Sequence, residues 1–317
     1  MSNMAKTDAP TGADKQLRGN MLCVLAIALF ATGFPAAEVL LNTWGPISLI
    51  TIRAVLACAL LVPIWIMVDG YKTVMAAPWS RALGIGTIGF GVGMVLLLVV
   101  QDITDPVSAA LIAATMPVSA VLLEILFDGR KLTLNFAAGA VLVLVGGFIA
   151  TGAELRGGTF GPAIVLGCFA SMMFAWGSRQ AVKGLPNMSS LGQTASTLVG
   201  AMLFCMITFA AFALMGWEGT HGAALGPSGW SLLIIYAWGA MALSQAFWLL
   251  GVSRLGIGIA SFHLNASPFY VMLILLMTGG SWDWGRALGA ALLGVGVVLA
   301  QRKRSVTRHS VPSVPGG

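Results

Sequence analysis

Residues 107–129 read VSAALIAATMPVSAVLLEILFDG, and residues 258–280 read GIASFHLNASPFYVMLILLMTGG. Each is an apolar stretch of the length that crosses a bilayer as a helix, about 20 residues, and each carries a central proline. At an offset of 151, Pro117 falls on Pro268, Ala109 on Ala260 and Leu122 on Leu273. In the stretches that follow, Gly139 and Gly146 match Gly289 and Gly296 at an offset of 150. Ala31-Thr32-Gly33 is echoed by Ala175-Trp176-Gly177. The order of these echoes is the same in both halves, which reads as an internal repeat.

Composition fixes the solvent of this repeat. Of 317 residues, 58% are hydrophobic and only 9% charged, with a mean hydropathy of +0.91. Soluble domains carry closer to a quarter charged residues, and disordered chains are poor in apolar residues. An outer surface facing lipid remains. The 40 glycines agree, because small residues let membrane helices approach closely. Cys23, Cys58, Cys168 and Cys205 all fall in apolar runs without metal-binding spacing, so they read as free buried thiols.

Apolar runs predict ten helices, near 18–41, 46–68, 80–101, 105–127, 132–152, 160–182, 189–215, 229–251, 256–278 and 286–301. The first run is longer than a signal peptide and lacks a clear cleavage site, so it reads as a retained helix. With ten crossings, 14 of the 17 Lys and Arg fall on one side, Arg156 and Arg286 on the other, and Arg53 within a span. Basic loops stay cytoplasmic, so both termini are expected inside, in a cell inner or plasma membrane. Trp44, Trp217, Trp230, Trp282 and Trp284 fall near the outer ends, where interfacial rings belong. The fold class expected is an all-α integral membrane protein of ten transmembrane helices. The domains are a tail 1–17, a five-helix repeat 18–152, a second repeat 153–301 and a tail 302–317. Five is odd, so the second copy crosses in the opposite sense. Inverted repeats are a transporter feature, with the substrate site near the midplane.

The pattern resembles the drug/metabolite transporter superfamily, and within it the EamA-type ten-helix exporters that include YddG-like amino-acid exporters. The residues that carry the resemblance are Trp176-Gly177-Ser178, Pro117 followed by Gly129-Arg130-Lys131-Leu132-Thr133, Arg53, and Asn265 to Pro268. The sequence departs from the family pattern at Thr32, where Trp is usual, and at Arg130, where Glu is frequent. The resemblance implies alternating access by two five-helix halves and export of small metabolites.

Several polar residues fall inside apolar spans. Arg53 lies about seven residues inside the second span, where a charge costs a few kcal/mol unless paired or hydrated. It reads either as a substrate-facing or gate-pairing cation for a carboxylate, or as a structural arginine on backbone carbonyls. Glu124 reads as a proton site or, one turn from Asp128, as an ion-pair partner at the interface; Glu38 reads as a mouth residue. His263, Asn265 and Ser267 precede Pro268, which frees a carbonyl near Leu264 that can become a polar cavity group. Trp248 shares a helix face with Ser244, and Gly251 on that face leaves room beside the ring. Gln245 adds an amide, and Trp176 a second indole. The candidate substrate contacts are therefore Trp176, Gln245, Trp248, His263, Asn265 and Ser267, with Arg53, Pro117, Glu124 and Pro268 in gating or structural roles. Gly84, Gly86, Gly89, Gly91 and Gly93 make one very slim helix suited to close packing or hinge motion, and no strand precedes it to make a dinucleotide site.

No HExxH, G-x-S-x-G or Walker motif occurs. The expectation is therefore no enzyme, no catalytic residue, no metal and no cofactor, with transport driven by a gradient. The candidate cargo is neutral or zwitterionic, with an amino acid first, because the polar residues are aromatic, amide and hydroxyl. Export of amphipathic drugs is the alternative, and a channel is disfavoured because no charged filter ring is visible. The partners expected are a small solute and the lipid bilayer, not nucleic acid; a monomer is compatible with all of this.

Overall fold

The computed structural model describes residues 12–129, 131, 133–151 and 160–301. Arg130, Leu132, Arg156, the junction between the two expected halves, and the tails 1–11 and 302–317 lie outside the described residues. All regular structure among the described residues is helical. In chain order it comprises α1 (Gly12–Leu41), α2 (Pro46–Asp69), the short α3 (Tyr71–Met75), α4 (Trp79–Asp102), α5 (Pro106–Phe127), α6 (Leu134–Thr151), α7 (Phe160–Gly184), α8 (Ser190–Leu214), α9 (Pro227–Leu255), α10 (Ile257–Met277) and α11 (Trp284–Gln301). Eight of these are long and apolar enough to cross a membrane; the apolar parts of α6 and α11, Leu134–Gly147 and Trp284–Leu299, are shorter. The chain is a multi-pass membrane protein.

Local chemistry sets the ends. Asp105 caps α5, its carboxylate accepting from the Val107 and Ser108 amides, and Pro106 takes the first helical position, where its missing N–H costs nothing. Ser189 caps α8 by accepting from the Gly192 amide at 2.9 Å. One end differs from expectation: α1 begins at Gly12 rather than near residue 18, so part of the expected tail is helix. Asp14 in its first turn is favoured there by the helix dipole.

Four spans are internally irregular. Both α5 and α10 are interrupted just before their prolines: α5 at Ala114–Thr115, and α10 by a 3-10 stretch, Ser261–Ala266. Pro117 and Pro268 then sit in the first turn of the continuing helix. A proline inside a helix lacks its N–H and clashes with the carbonyl four residues back, so the chain breaks ahead of it. The other two irregular spans each contain a π-helical segment, Gly86–Gly91 in α4 and Ile235–Leu243 in α9.

Glycine pairs let the helices meet. A Cβ at Gly89 of α4 would lie 2.4 Å from the Cα of Gly177 in α7, and one at Gly86 would lie 2.0 Å from the Thr197 carbonyl oxygen in α8. On the other side of the bundle, a Cβ at Gly33 of α1 would meet the Ala240 methyl of α9 at 2.8 Å. The contact between α6 and α11 is reciprocal. Gly146 faces the Gly289 carbonyl and Leu293, while Gly296 faces the Gly139 carbonyl and Val143. Of the slim-helix glycines, only Gly84 has no atom within 4 Å of an added Cβ. Gly89→Val is therefore expected to cost about 1–3 kcal/mol by overpacking. Gly84→Ala should leave the thermal midpoint of the detergent-purified protein unchanged, and equal midpoints for the two variants would contradict the packing role.

Candidate functional site

Three small adjoining hollows lie between the helices at the centre of the bundle, and Phe30 of α1 and Phe174 of α7 line all three. The first is also lined by Arg53, Gln101 and Tyr236, and the second by Ser171, Ser178, Gln245 and Trp248. The third has Arg53, Phe90, Met94, Thr194, Thr197 and Gln245 in its wall. Aromatic and aliphatic groups dominate throughout, with a few polar atoms between them, as in small-molecule sites generally.

Arg53 connects the site to the irregular span α9. Its Nε donates to the Tyr236 carbonyl at 3.0 Å and its Nη2 to the Ala240 carbonyl at 3.1 Å, both in the π segment. The guanidinium also lies over the Tyr236 ring, 3.8 Å from its centroid. A π segment departs from the i→i−4 ladder, and these two carbonyls accept an outside donor. No carboxylate pairs with Arg53 among the described residues. The backbone contact expected for a structural arginine is thus present, and the same side chain lines two hollows.

The hydroxyls around it are donors already committed. Thr194 Oγ1 donates to the Ser190 carbonyl (2.8 Å), Thr197 Oγ1 to the Gln193 carbonyl (2.7 Å) and Ser244 Oγ to the Ala26 carbonyl (2.9 Å). What a solute meets from these groups is oxygen lone pairs. Gln245 has no hydrogen bond among the described residues, and its Nε2 is buried without a partner. Trp248 Nε1 donates to Ser178 Oγ at 3.0 Å, which fixes the indole in the wall.

The sequence candidates divide accordingly. Gln245, Trp248 and Arg53 line the hollows. Trp176, His263, Asn265 and Ser267 are not among these lining residues. Trp176 packs edge-on over Gly89, with Cε3 at 3.3 Å from an added Cβ. Ser267 Oγ donates to the Leu264 carbonyl at 2.7 Å, so the carbonyl expected to become a cavity group is occupied by a neighbouring hydroxyl. His263 Nδ1 lies 3.1 Å from the Ala260 carbonyl, and Asn265 Oδ1 is buried without a partner. The space at Gly251 is filled by Cys23 Sγ, 2.5 Å from an added Cβ, rather than lying open beside Trp248. Glu124 Oε1 lies against Gly258 of α10.

Residues missed by sequence reasoning include Phe30, Phe174, Thr194 and Thr197. The phenylalanines had a signal: each immediately precedes the Ala-x-Gly echo, as Phe30-Ala31-Thr32-Gly33 and Phe174-Ala175-Trp176-Gly177.

Ion pairs close both ends of α5. At one end, Asp105 meets Arg286 Nη1 of α11 at 2.6 Å. At the other, Asp128 accepts from Arg179 Nη2 at 2.5 Å and from Lys183 Nζ at 3.2 Å, both on α7.

Comparison with known proteins adds a family. Residues 17–152 match the EamA-like transporter family. That stretch, somewhat under half of the chain, is similar to the EamA-like transporters. The family is one of membrane transporters. No curated protein matches. A solved structure, described only as a protein crystal structure, superimposes with a TM-score of 0.68 at 18% identity, covering 92% of this chain and 98% of its own. The fold of the chain is therefore a known one.

The Asp128 pair yields a pH prediction. Hydrogen bonding from Arg179 foremost, and from Lys183, holds the Asp128 carboxyl below its ordinary value of 3.8. A depressed folded-state value contributes stability that is present above the ordinary value and lost as pH falls through the depressed one. Asp128 is largely exposed, so the contribution is small. Thermal unfolding of the wild type should lose a small increment below about pH 4, and Asp128→Asn should lack that increment. An identical pH profile in both proteins would show that the pair is not formed.

Proposed function

We propose that the protein is a secondary transporter that exports neutral amino acids, aromatic ones included, by alternating access. The observation that carries this reading is Arg53. It is a fixed cation in the wall of the central hollows, held by backbone carbonyls and with no carboxylate partner among the described residues. A carboxylate bound there gains charge-assisted hydrogen bonds, which are about twice as strong as neutral ones. The hydroxyl oxygens of Thr194, Thr197 and Ser244 accept from an ammonium group. Phe30, Phe90, Phe174 and Met94 surround the remaining side chain. A sugar phosphate would require several cations, and the three hollows present one.

The mechanism is read from the two halves, 18–152 and 153–301. With α6 and α11 also crossing, at 18 residues each and within the range that spans a bilayer, the count is ten. Two reciprocal relations support an internal two-fold. An offset of 150 exchanges the Gly146 contact with Gly289 and Leu293 for the Gly296 contact with Gly139 and Val143, the signature of a self-complementary interface. The π segments also recur, one in α4 and one in α9, each packed on an Ala-x-Gly turn of the other half: Gly177 on the first, Gly33 on the second. Both termini face the cytoplasm by the distribution of Lys and Arg, and the direction of transport follows from the resemblance to exporters. His263 and Asn265 act at the α10 break, away from the cargo.

Counterflow of labelled phenylalanine into proteoliposomes loaded with unlabelled amino acid tests the reading. Thr194→Val and Gln245→Ala should each raise KM several-fold, a lost hydrogen bond being about 1 kcal/mol, with the protein still monodisperse. Unchanged kinetics in both variants, or ion conductance without any solute exchange, would overturn it.

A further inference from the structure

The turn between α2 and α4 and the turn between α7 and α8 lie at the same end of the bundle and enclose a surface groove of about 680 Å³. Lys72, Thr73 and Arg81 line one side, and Pro186 and Asn187 the other. Arg81 Nη1 donates to the Gly184 carbonyl at 3.1 Å, which holds the guanidinium across the groove. Neither Lys72 nor Arg81 forms an ion pair among the described residues. The acid nearest in sequence, Asp69, is engaged: it accepts from Trp65 Nε1 at 2.9 Å and from Ser189 Oγ. The groove therefore presents two cations without a counter-charge, beside a hydroxyl and an amide.

Its rim is apolar. Met67 and Val68 at the end of α2 are 75% and 67% exposed, and Tyr71 and Met75 on α3 are 62% and 60% exposed. Tyr71 and Met75 are four apart and share one face of α3. Because α2 crosses the membrane, these four side chains end at the depth where acyl chains meet headgroups, and a tyrosine is favoured at that level. A site for free phosphate has no use for such a rim. A site for a lipid uses both parts, cations for the phosphate and apolar side chains for the acyl chains.

We propose that this groove binds the headgroup phosphate of an anionic phospholipid. Its two walls come from α2–α4 and from α7–α8, so a bound lipid bridges the two halves of the chain at this end. The inference does not depend on the cargo.

The test uses the purified full-length protein in a neutral detergent, with native mass spectrometry as the readout. The probes are phosphatidylglycerol, phosphatidylcholine and inorganic phosphate. Phosphatidylglycerol should bind at least about tenfold more tightly than phosphatidylcholine. The double variant Lys72→Gln, Arg81→Gln should lose about thirtyfold of that affinity, roughly fivefold for each of the two cations. Arg254→Gln, an exposed cation at the same end of the bundle, should change nothing. Both substituted side chains are exposed, and the lipid preference of the wild type stands as a separate measurement. Equal binding of the two lipids, equal competition by millimolar inorganic phosphate, or an unaffected double variant would overturn the proposal.

Discussion

A guanidinium inside an apolar bundle has to be satisfied, and the way Arg53 is satisfied organises the centre of this protein. An unpaired charge at that depth costs several kcal/mol. Here the cost is offset by two backbone carbonyls and one aromatic face, all from α9. Those carbonyls are available because α9 leaves regular α-helical register between Ile235 and Leu243. The π segment, the arginine and the hollows are thus one arrangement. A carboxylate supplied by the protein would have neutralised the charge; backbone dipoles leave it cationic.

The same economy of bulk appears in the packing. With lipid on the outside there is little hydrophobic force between helices, so close approach has to come from small residues. Gly89 against Gly177, and Gly33 against Ala240, bring α4 to α7 and α1 to α9 near the hollows. Phe30 and Phe174 stand next to those contacts and reach into the space that the glycines' helices enclose. The ion pairs at the two ends of α5 tie that broken helix to α7 on one side and to α11 on the other. A movement that opens either end has to release one of them.

Much of the architecture was legible because membrane helices are written in composition. The spans could be read from apolar length, the helix breaks from Pro117 and Pro268, and the close contacts from the glycines of α4. The site was only partly legible. Gln245 and Trp248 stood out as polar or amphipathic groups in an apolar run, and they do line the hollows. His263 and Ser267 stood out in the same way but bond to carbonyls of their own helix, because a hydroxyl or imidazole beside a break satisfies the backbone there. The threonines of α8 gave no signal, since nothing local distinguishes a threonine facing a hollow from one facing a helix. The π segments had no signal at all; they depend on contacts from other helices, of which Arg53 to α9 is the clearest.

Arg53 is proposed to receive the carboxylate of the cargo. Equilibrium binding of labelled phenylalanine to the purified protein, competed by phenylalanine or by phenylethylamine, measures this directly, since the two differ by that carboxylate alone. Phenylethylamine should compete at least about tenfold more weakly, the loss of a charge-assisted hydrogen bond. Equal competition by the two compounds would contradict it.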